Sequence, residues 1–243
     1  MTARAILTLD CDWAPDFVLE HVRGLIGARG AHATLFATHP GPALEAWQRT
    51  PGLEAGWHPN LLPGSSHGSD PAAVAAYLEG IAPGARGMRT HGLLQSTGLL
   101  AALAAAAPAL RYDASLYVPG QASLRGFDFP LPGGRSLRRY PFAWEDDLHL
   151  AAGGSLEPPL IGLPGAGVCI LNFHPIHVYL NTADMGEYGK VKASGPLASL
   201  SPSQVDPHRH EGAGIGTLFA WALDRFDFSL NLGEWDDLER SGR

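Results

Sequence analysis

Two acids spaced by one residue, Asp10 and Asp12, close a short apolar run, Ala5-Ile6-Leu7-Thr8-Leu9. On extended backbone, residues i and i+2 share a face, so both carboxylates point the same way. Like charges at that range repel unless a cation lies between them or one carboxyl is protonated. A divalent cation meets that need; an Asp in this place can also simply cap a following helix. Two histidines follow, in Trp57-His58-Pro59-Asn60 and Ser65-Ser66-His67-Gly68. Neutral imidazole is a common zinc ligand, and two His with one carboxylate leave a position open for water. Read singly, His58 could be a hydrogen-bonded edge residue and His67 an exposed loop residue.

Three further clusters carry chemistry. Arg89-Thr90-His91-Gly92 offers a guanidinium whose donor fork suits a carboxylate; the four residues also read as a surface loop. Phe142-Ala143-Trp144-Glu145-Asp146-Asp147 is either a solvated acidic turn or, with its aromatic neighbours, one wall of a site. His174 stands where Val168-Cys169-Ile170-Leu171-Asn172-Phe173 ends. It can donate a proton near neutral pH, or be a satisfied core histidine. Other chemistries lack their signatures. There is no Gly-x-Ser-x-Gly elbow, no Gly-x-Gly-x-x-Gly after the first run and no Gly-Lys-Ser/Thr loop. Cys11 lies between two acids, which would raise its thiol pKa rather than activate it.

The elements that must position these residues alternate between two periodicities. Strands are expected at Ala5–Leu9, Ala33–Ala37, Leu53–Trp57 and Val168–Phe173. Helices are expected at Pro15–Arg29, Gly41–Gln48, Pro71–Glu79, Leu93–Ala107 and around Thr217–Leu223. That rhythm implies parallel strands and an α/β fold, an open doubly wound sheet or a barrel, with ligands at the C-terminal strand ends. Residues 118–165 are rich in Gly and Pro and show little periodicity. Residues 181–212 read as a long ordered loop over a site.

Composition narrows the classes. The chain has 243 residues, 45% hydrophobic and 17% charged, which is globular rather than disordered. Seventeen Lys and Arg against 24 Asp and Glu give a net charge of −7, which argues against nucleic acid as a partner. No apolar run is long enough to span a membrane. The two cysteines, Cys11 and Cys169, make no disulfide framework. The start lacks the apolar core of a signal peptide, so a cytoplasmic location is expected.

Taken in order, the clusters resemble the polysaccharide deacetylase family, also called the NodB-homology or carbohydrate esterase 4 superfamily, from about Ala5 to Phe226. The resemblance implies one domain over residues 1–243, a distorted (β/α)7-type barrel with a divalent metal, zinc by its ligand set, in the mouth. Thr8-Leu9-Asp10-Cys11-Asp12 matches the first motif, which implies Asp10 as general base and Asp12 as metal ligand. Ala33-Thr34-Leu35-Phe36 resembles the family's second strand. The second motif is stretched between His58 and Ser65-Ser66-His67, which implies His58 and His67 as the other ligands. Arg89 matches the third motif and would hold Asp10. The family's Pro-Tyr pair is here His91-Gly92, so Gly92 would supply the oxyanion amide, with His91 beside the substrate. Trp144-Glu145-Asp146-Asp147 resembles the fourth motif, with Trp144 against substrate and Asp146 or Asp147 raising the pKa of His174. Ile170-Leu171-Asn172-Phe173-His174 fits the fifth, with His174 as general acid.

The activity so implied is a metal-dependent hydrolase of non-peptide carbon–nitrogen bonds. It would remove an acetyl or formyl group from the amide nitrogen of a sugar. The departures place the chain on a divergent branch. A cytoplasmic enzyme would meet a small-molecule sugar, or one linked to a nucleotide or lipid, as in surface-polysaccharide or lipopolysaccharide biosynthesis. Two alternatives stand beside it: hydrolysis of a cyclic ureide or imide, and a non-catalytic sugar-binding protein. Trp13, Trp57 and Trp144 could stack on a sugar ring or serve as core.

Overall fold

The computed structural model describes residues 3–119, 125–160 and 169–242. The chain opens with β1 (Ala3–Asp10), α1 (Asp16–Gly27), β2 (Ala33–Ala37), α2 (Pro42–Arg49) and β3 (Leu53–Trp57). It continues through α3 (Pro71–Ile81), β4 (Gly87–Met88), α4 (Thr97–Ala106), β5 (Tyr112–Tyr117), β6 (Phe127–Pro130), β7 (Ser136–Phe142) and β8 (Trp144–Glu145). It ends with α5 (Asp146–Ala151), β9 (Cys169–Phe173), α6 (Pro175–Leu180), α7 (Met185–Ala193), α8 (Pro202–Val205), α9 (Ile215–Arg225), β10 (Phe226–Asp227) and α10 (Leu232–Arg240). No helix among the described residues is long and apolar enough to cross a membrane.

The strands form one sheet in the order β6-β7-β5-β4-β3-β2-β1-β9-β8, with β10 against the start of β1. All described pairings are parallel except β6 with β7. The molecule is thus a mixed α/β fold on a single sheet. Among the described residues the hydrogen-bonded ladder is not closed into a barrel. β7 meets β5, β8 meets β9, and Ala143, whose N–H donates to the Ile170 carbonyl, interrupts the strand between them.

Strand alternation sorts the side chains. Ala5, Leu7 and Leu9 face outward with Cys169, Leu171 and Phe173, into the cluster that packs α1, α6 and α9. Ile6 and Ile170 face the other way, joining Phe36, Tyr112, Tyr140, Phe142 and Leu232 of α10. Continuing up that inner face, Ile6 gives way to Thr8 and Asp10, and Ile170 to Asn172 and His174. One face of two paired strands therefore runs from an apolar plug at the bottom to a polar site at the top. A third cluster packs α3 and α4 behind β3 and β4.

The expected apolar strands are present; Val168 lies outside the described residues. The region from 118 to 165, whose sequence shows little periodicity, contains β6, β7, β8 and α5. Its periodicity is masked by charge pairing: Arg139 of β7 sits opposite Asp113 of β5 and bonds it at 2.8 Å, fully buried on the acid's side. The expected loop 181–212 contains α7 and α8. Asp184 caps α7 by accepting from the amides of Gly186 and Glu187. Helix α4 begins at Thr97, not Leu93, because the Ser96 hydroxyl accepts from the Leu99 amide and fixes the start.

The inner face leaves no room at Gly87, the register partner of Tyr112. A Cβ there would fall within the Tyr112 ring, which is buried and held by its hydroxyl on Glu54 at 2.8 Å. Gly87→Ala is expected to destabilise the fold by about 2–3 kcal/mol, read as a lowered denaturation midpoint. A midpoint within experimental error of wild type would contradict that packing.

Candidate active site

Asp10, His58, Arg89, Asp146 and His174 all lie at or just beyond the C-terminal ends of parallel strands, β1, β3, β4, β8 and β9. That shared polarity brings residues up to 164 positions apart onto one floor.

Asp10 is held from both sides. Arg89 Nη1 donates to its Oδ1 at 3.0 Å, and Asn172 Nδ2 to its Oδ2 at 2.9 Å. The guanidinium is fully buried, between the rings of Phe36 and Phe142 at 4.7 and 4.4 Å, and its Nε bonds the Ala114 carbonyl. Arg89 also donates to Thr8 Oγ1 and to Asn172 Oδ1. A guanidinium can only donate, so the amide oxygen of Asn172 faces Arg89. Its NH2 is left for two carboxylates, Asp10 and Glu145, the latter at 3.1 Å. Burial pushes the Glu145 carboxyl up to about 7.

Beside Asp10, three ligand-type atoms converge. Asp12 Oδ1 lies 3.0 Å from His58 Nε2 and 3.0 Å from His91 Nδ1, and the two ring nitrogens are 3.3 Å apart. Burial opposes ionisation of Asp12, but hydrogen bonds from His58 and His91 outweigh it and hold the carboxyl well below its ordinary range. Asp12 and Trp13 both take left-handed backbone, φ 43° and 57°. Asp tolerates that conformation; an indole there is uncommon, and such strain collects at functional sites.

His67 is not brought to this cluster. Its Nε2 bonds the Thr38 carbonyl at 2.7 Å, and its Nδ1 accepts from the Asn60 amide at 3.1 Å. Both ring nitrogens are spent on backbone, so the ring ties the 60–67 loop to the end of β2. His91, expected beside the substrate, stands where His67 was expected. His67→Ala leaves a buried carbonyl and amide unpaired and is expected to cost about 1–3 kcal/mol of stability, measured by denaturant titration. No loss of stability would contradict this anchoring role.

His174 follows β9. Its Nδ1 bonds Asp146 Oδ1 at 2.6 Å, and its backbone amide bonds Asp146 Oδ2 at 2.7 Å. Asp146 is fully buried, so it fixes the ring and leaves Nε2 facing the site, 3.6 Å from Asp12 Oδ2. Burial alone would depress His174, but Asp146, Asp147 and Asp12 overcome it and raise the imidazole well above 6.5. Asp147 Oδ1 lies 2.6 Å from His177 Nε2 and is held near 2: burial opposes its charge, and His174 and His177 outweigh that.

Of these groups, Asp10, Asp12, His58, His91, Glu145, Asp147 and His174 line a cavity of about 380 Å³, with Gly92, Leu93, Leu148 and the α7 side chains Met185, Tyr188 and Lys192. Gly92 has φ 61°, which glycine takes without strain. Trp144 is not in that lining. Its ring packs on Phe173 at 4.8 Å and its Nε1 donates to His149, making it core. Trp57 is likewise core, bonded to the Ala82 carbonyl. Cys11 is buried and its thiol pushed up to about 11, which removes it as a nucleophile near neutral pH.

The sequence reading gave no role to Thr8, Asn172, Glu145, Tyr188 or Lys192. The signal for Asn172 was present: it precedes His174 by two on a strand and must share its face.

The donor set fits a cation. Two imidazole nitrogens and one carboxylate oxygen at mutual distances of 3.0–3.3 Å would place three lone pairs on one point, and His58 Nδ1 lies 3.8 Å from Asp10 Oδ1. No curated protein matches the chain. A solved structure from Bordetella bronchiseptica, WbmS, described as a candidate polysaccharide deacetylase involved in O-antigen biosynthesis, is 32% identical. The match covers 92% of this chain and 91% of that one, with a TM-score of 0.79. The family model for WbmS-like polysaccharide deacetylases matches residues 7–192. With that span and that neighbour, the chain belongs to the WbmS-like polysaccharide deacetylase family.

Proposed function

We propose that this chain is a metal-dependent hydrolase that removes an acyl group, acetyl or formyl, from the amide nitrogen of a sugar in surface-polysaccharide assembly. The observation that carries the reading is the pairing of two proton-handling groups around one ligand cluster. Asp10 approaches Asp12, His58 and His91 from the His58 side, and His174 from the Asp12 side. The reading takes residues 1–243 as one domain and the fold as a distorted (β/α)7-type barrel, its open ladder spanned by the run 136–145 between β5 and β9.

Asp12, His58 and His91 would hold the ion; the set suits zinc, and cobalt, nickel or iron would also bind it. Bound there, a divalent cation supplies Lewis acidity to the acyl carbonyl and lowers the pKa of water toward about 7. The protein's own part is proton transfer and positioning. Asp10 accepts the proton of the attacking water while Arg89 and Asn172 keep its carboxylate in place. The water oxygen bonds the acyl carbon, and the carbon–nitrogen bond breaks. His174, held by Asp146, delivers its Nε2 proton to the departing nitrogen, because an amide anion is too poor a leaving group to depart unprotonated. The Gly92 amide at the cavity wall is the candidate donor to the oxyanion.

The test is release of acetate or formate from N-acylated sugars by metal-loaded protein, beside opening of a cyclic ureide. Acyl release from sugars supports the reading. Ureide opening alone moves it to a non-sugar amide, and sugar binding without turnover makes the chain a binder on the same scaffold.

A further inference from the structure

The cavity above Asp10 does not end the cleft. A second cavity of about 430 Å³ adjoins it, and the two share Asp12, His91, Tyr188 and Lys192 as a common wall. Their linings differ in character. The first has an acidic floor and an apolar rim of Leu93, Leu148 and Met185. The second runs past Trp13, Pro196 and Leu197 to Ser65 and Ser66.

Among the described residues lining either cavity, Lys192 is the one Lys or Arg. The whole chain has two lysines, Lys190 and Lys192, both on α7. Lys190 is paired with Glu187. Lys192 has no carboxylate within ion-pair distance among the described residues. Its ammonium lies 5.4 Å from the Tyr188 ring centre, so an aromatic face rather than an acid supports it. Three hydrogen-bond donors at that wall are available to a ligand.

This arrangement constrains a substrate that fills both cavities. The charges of the floor already have partners: Asp10 bonds Arg89, Asp147 lies against His177, and Asp12 belongs to the group that would hold the cation. Lys192, at the shared wall, is the lining cation with no such commitment, and a negative charge carried by the substrate can meet it there. Beyond that wall, Trp13 is half-buried, its ring 5.4 Å from those of His67 and His91, and offers an aromatic edge to the second cavity.

We propose that Lys192 binds a phosphate carried on the substrate, with the acylated sugar in the acid-floored cavity and the phosphate's carrier in the second. The inference rests on the proposed function above, and it deepens that function by naming the substrate class: a sugar joined to a carrier through phosphate rather than a neutral polymer. Lys192 is a specificity residue here and takes no part in bond breaking.

The test compares probes built on one sugar: N-acetylglucosamine, its 1-phosphate, its uridine diphosphate conjugate and a short prenyl diphosphate conjugate. Calorimetry gives their affinities for metal-loaded wild type, Lys192→Ala and Lys192→Arg. The phosphate-bearing probes are expected to bind wild type at least about tenfold more tightly than the neutral sugar. Lys192→Ala should erase that margin, Lys192→Arg should keep most of it, and the neutral sugar should bind all three proteins alike. The tighter of the two conjugates identifies the carrier. Equal affinity for neutral and phosphate-bearing probes, or a margin that survives Lys192→Ala, overturns the proposal. So does an equal loss for the neutral sugar, which would mean a general packing role. Acyl release is read separately. A Lys192-dependent margin without hydrolysis of any probe would sink the hydrolase reading and leave this one standing; hydrolysis of the neutral sugar with no margin would do the reverse.

Discussion

Asp10→Asn is expected to lower turnover by about 10³-fold or more while leaving the protein folded and its metal bound. The substitution is nearly isosteric: Arg89 Nη1 still finds an acceptor at Oδ1, and Asn172 Nδ2, which loses the Oδ2 acceptor, keeps Glu145. The lost property is basicity: an amide cannot take the proton of water. Ligation is spared because the converging atoms belong to Asp12, His58 and His91. Steady-state rates on an N-acylated sugar, with metal content measured on the same sample, check this. A variant within tenfold of wild type would remove Asp10 from proton transfer. A variant without metal would make Asp10 a ligand instead.

Asp146→Asn should produce the second large effect, and with a pH signature. Asp146 holds the His174 ring by one oxygen and its backbone amide by the other, and contributes the first of the charges that raise the imidazole. A general acid works only while protonated, so in wild type the rate falls as pH rises through the raised value of His174. Removing the Asp146 charge lowers that value, and the alkaline limb should move to lower pH while maximal turnover drops about 10²-fold or more. Linkage gives the stability counterpart. Because the folded value of His174 lies above the ordinary 6.5, its contribution is full below about pH 6.5 and is lost as pH rises through the raised value. Asp146→Asn should therefore cost most stability at acid pH and less at alkaline pH. An unmoved alkaline limb would mean that another group is the acid.

Legibility in the sequence followed the nature of each constraint. Apolar strands β1, β2 and β9 stand out because their outward faces meet helices and their inner faces carry Ile6, Phe36 and Ile170 of the plug; β3 stands out by its outward face alone, through Leu53, Ala55 and Trp57. β5 and β7 do not, since Asp113 and Arg139 neutralise one another only across the register. Their polarity looks like loop until the partner is known. The strand-end residues Asp10, His58 and His174 were readable because their position in a strand fixes where they point. His67 lies in a loop and His91 opens a short 3-10 turn, where spacing carries no direction, and the sequence pattern favoured the one whose ring is spent on Thr38 and Asn60. Trp144 was read from its acidic neighbours, but as the first residue of β8 it alternates with Glu145, and the face it takes is core. Tyr188 and Lys192 gave no signal because α7 contains Gly186 and Gly189 and lacks a clear apolar stripe.

Metal content per chain, in wild type beside His91→Ala, His67→Ala and Asp12→Ala after zinc is restored to each, bears most directly on the claim that three residues at the strand ends hold a catalytic cation. The account predicts about one ion per chain in wild type and in His67→Ala, and its loss in both His91→Ala and Asp12→Ala. Full metal in His91→Ala with loss in His67→Ala would restore the ligand set that the sequence motif implied and contradict the geometry described above. A wild type that takes up no metal would contradict the hydrolase mechanism itself.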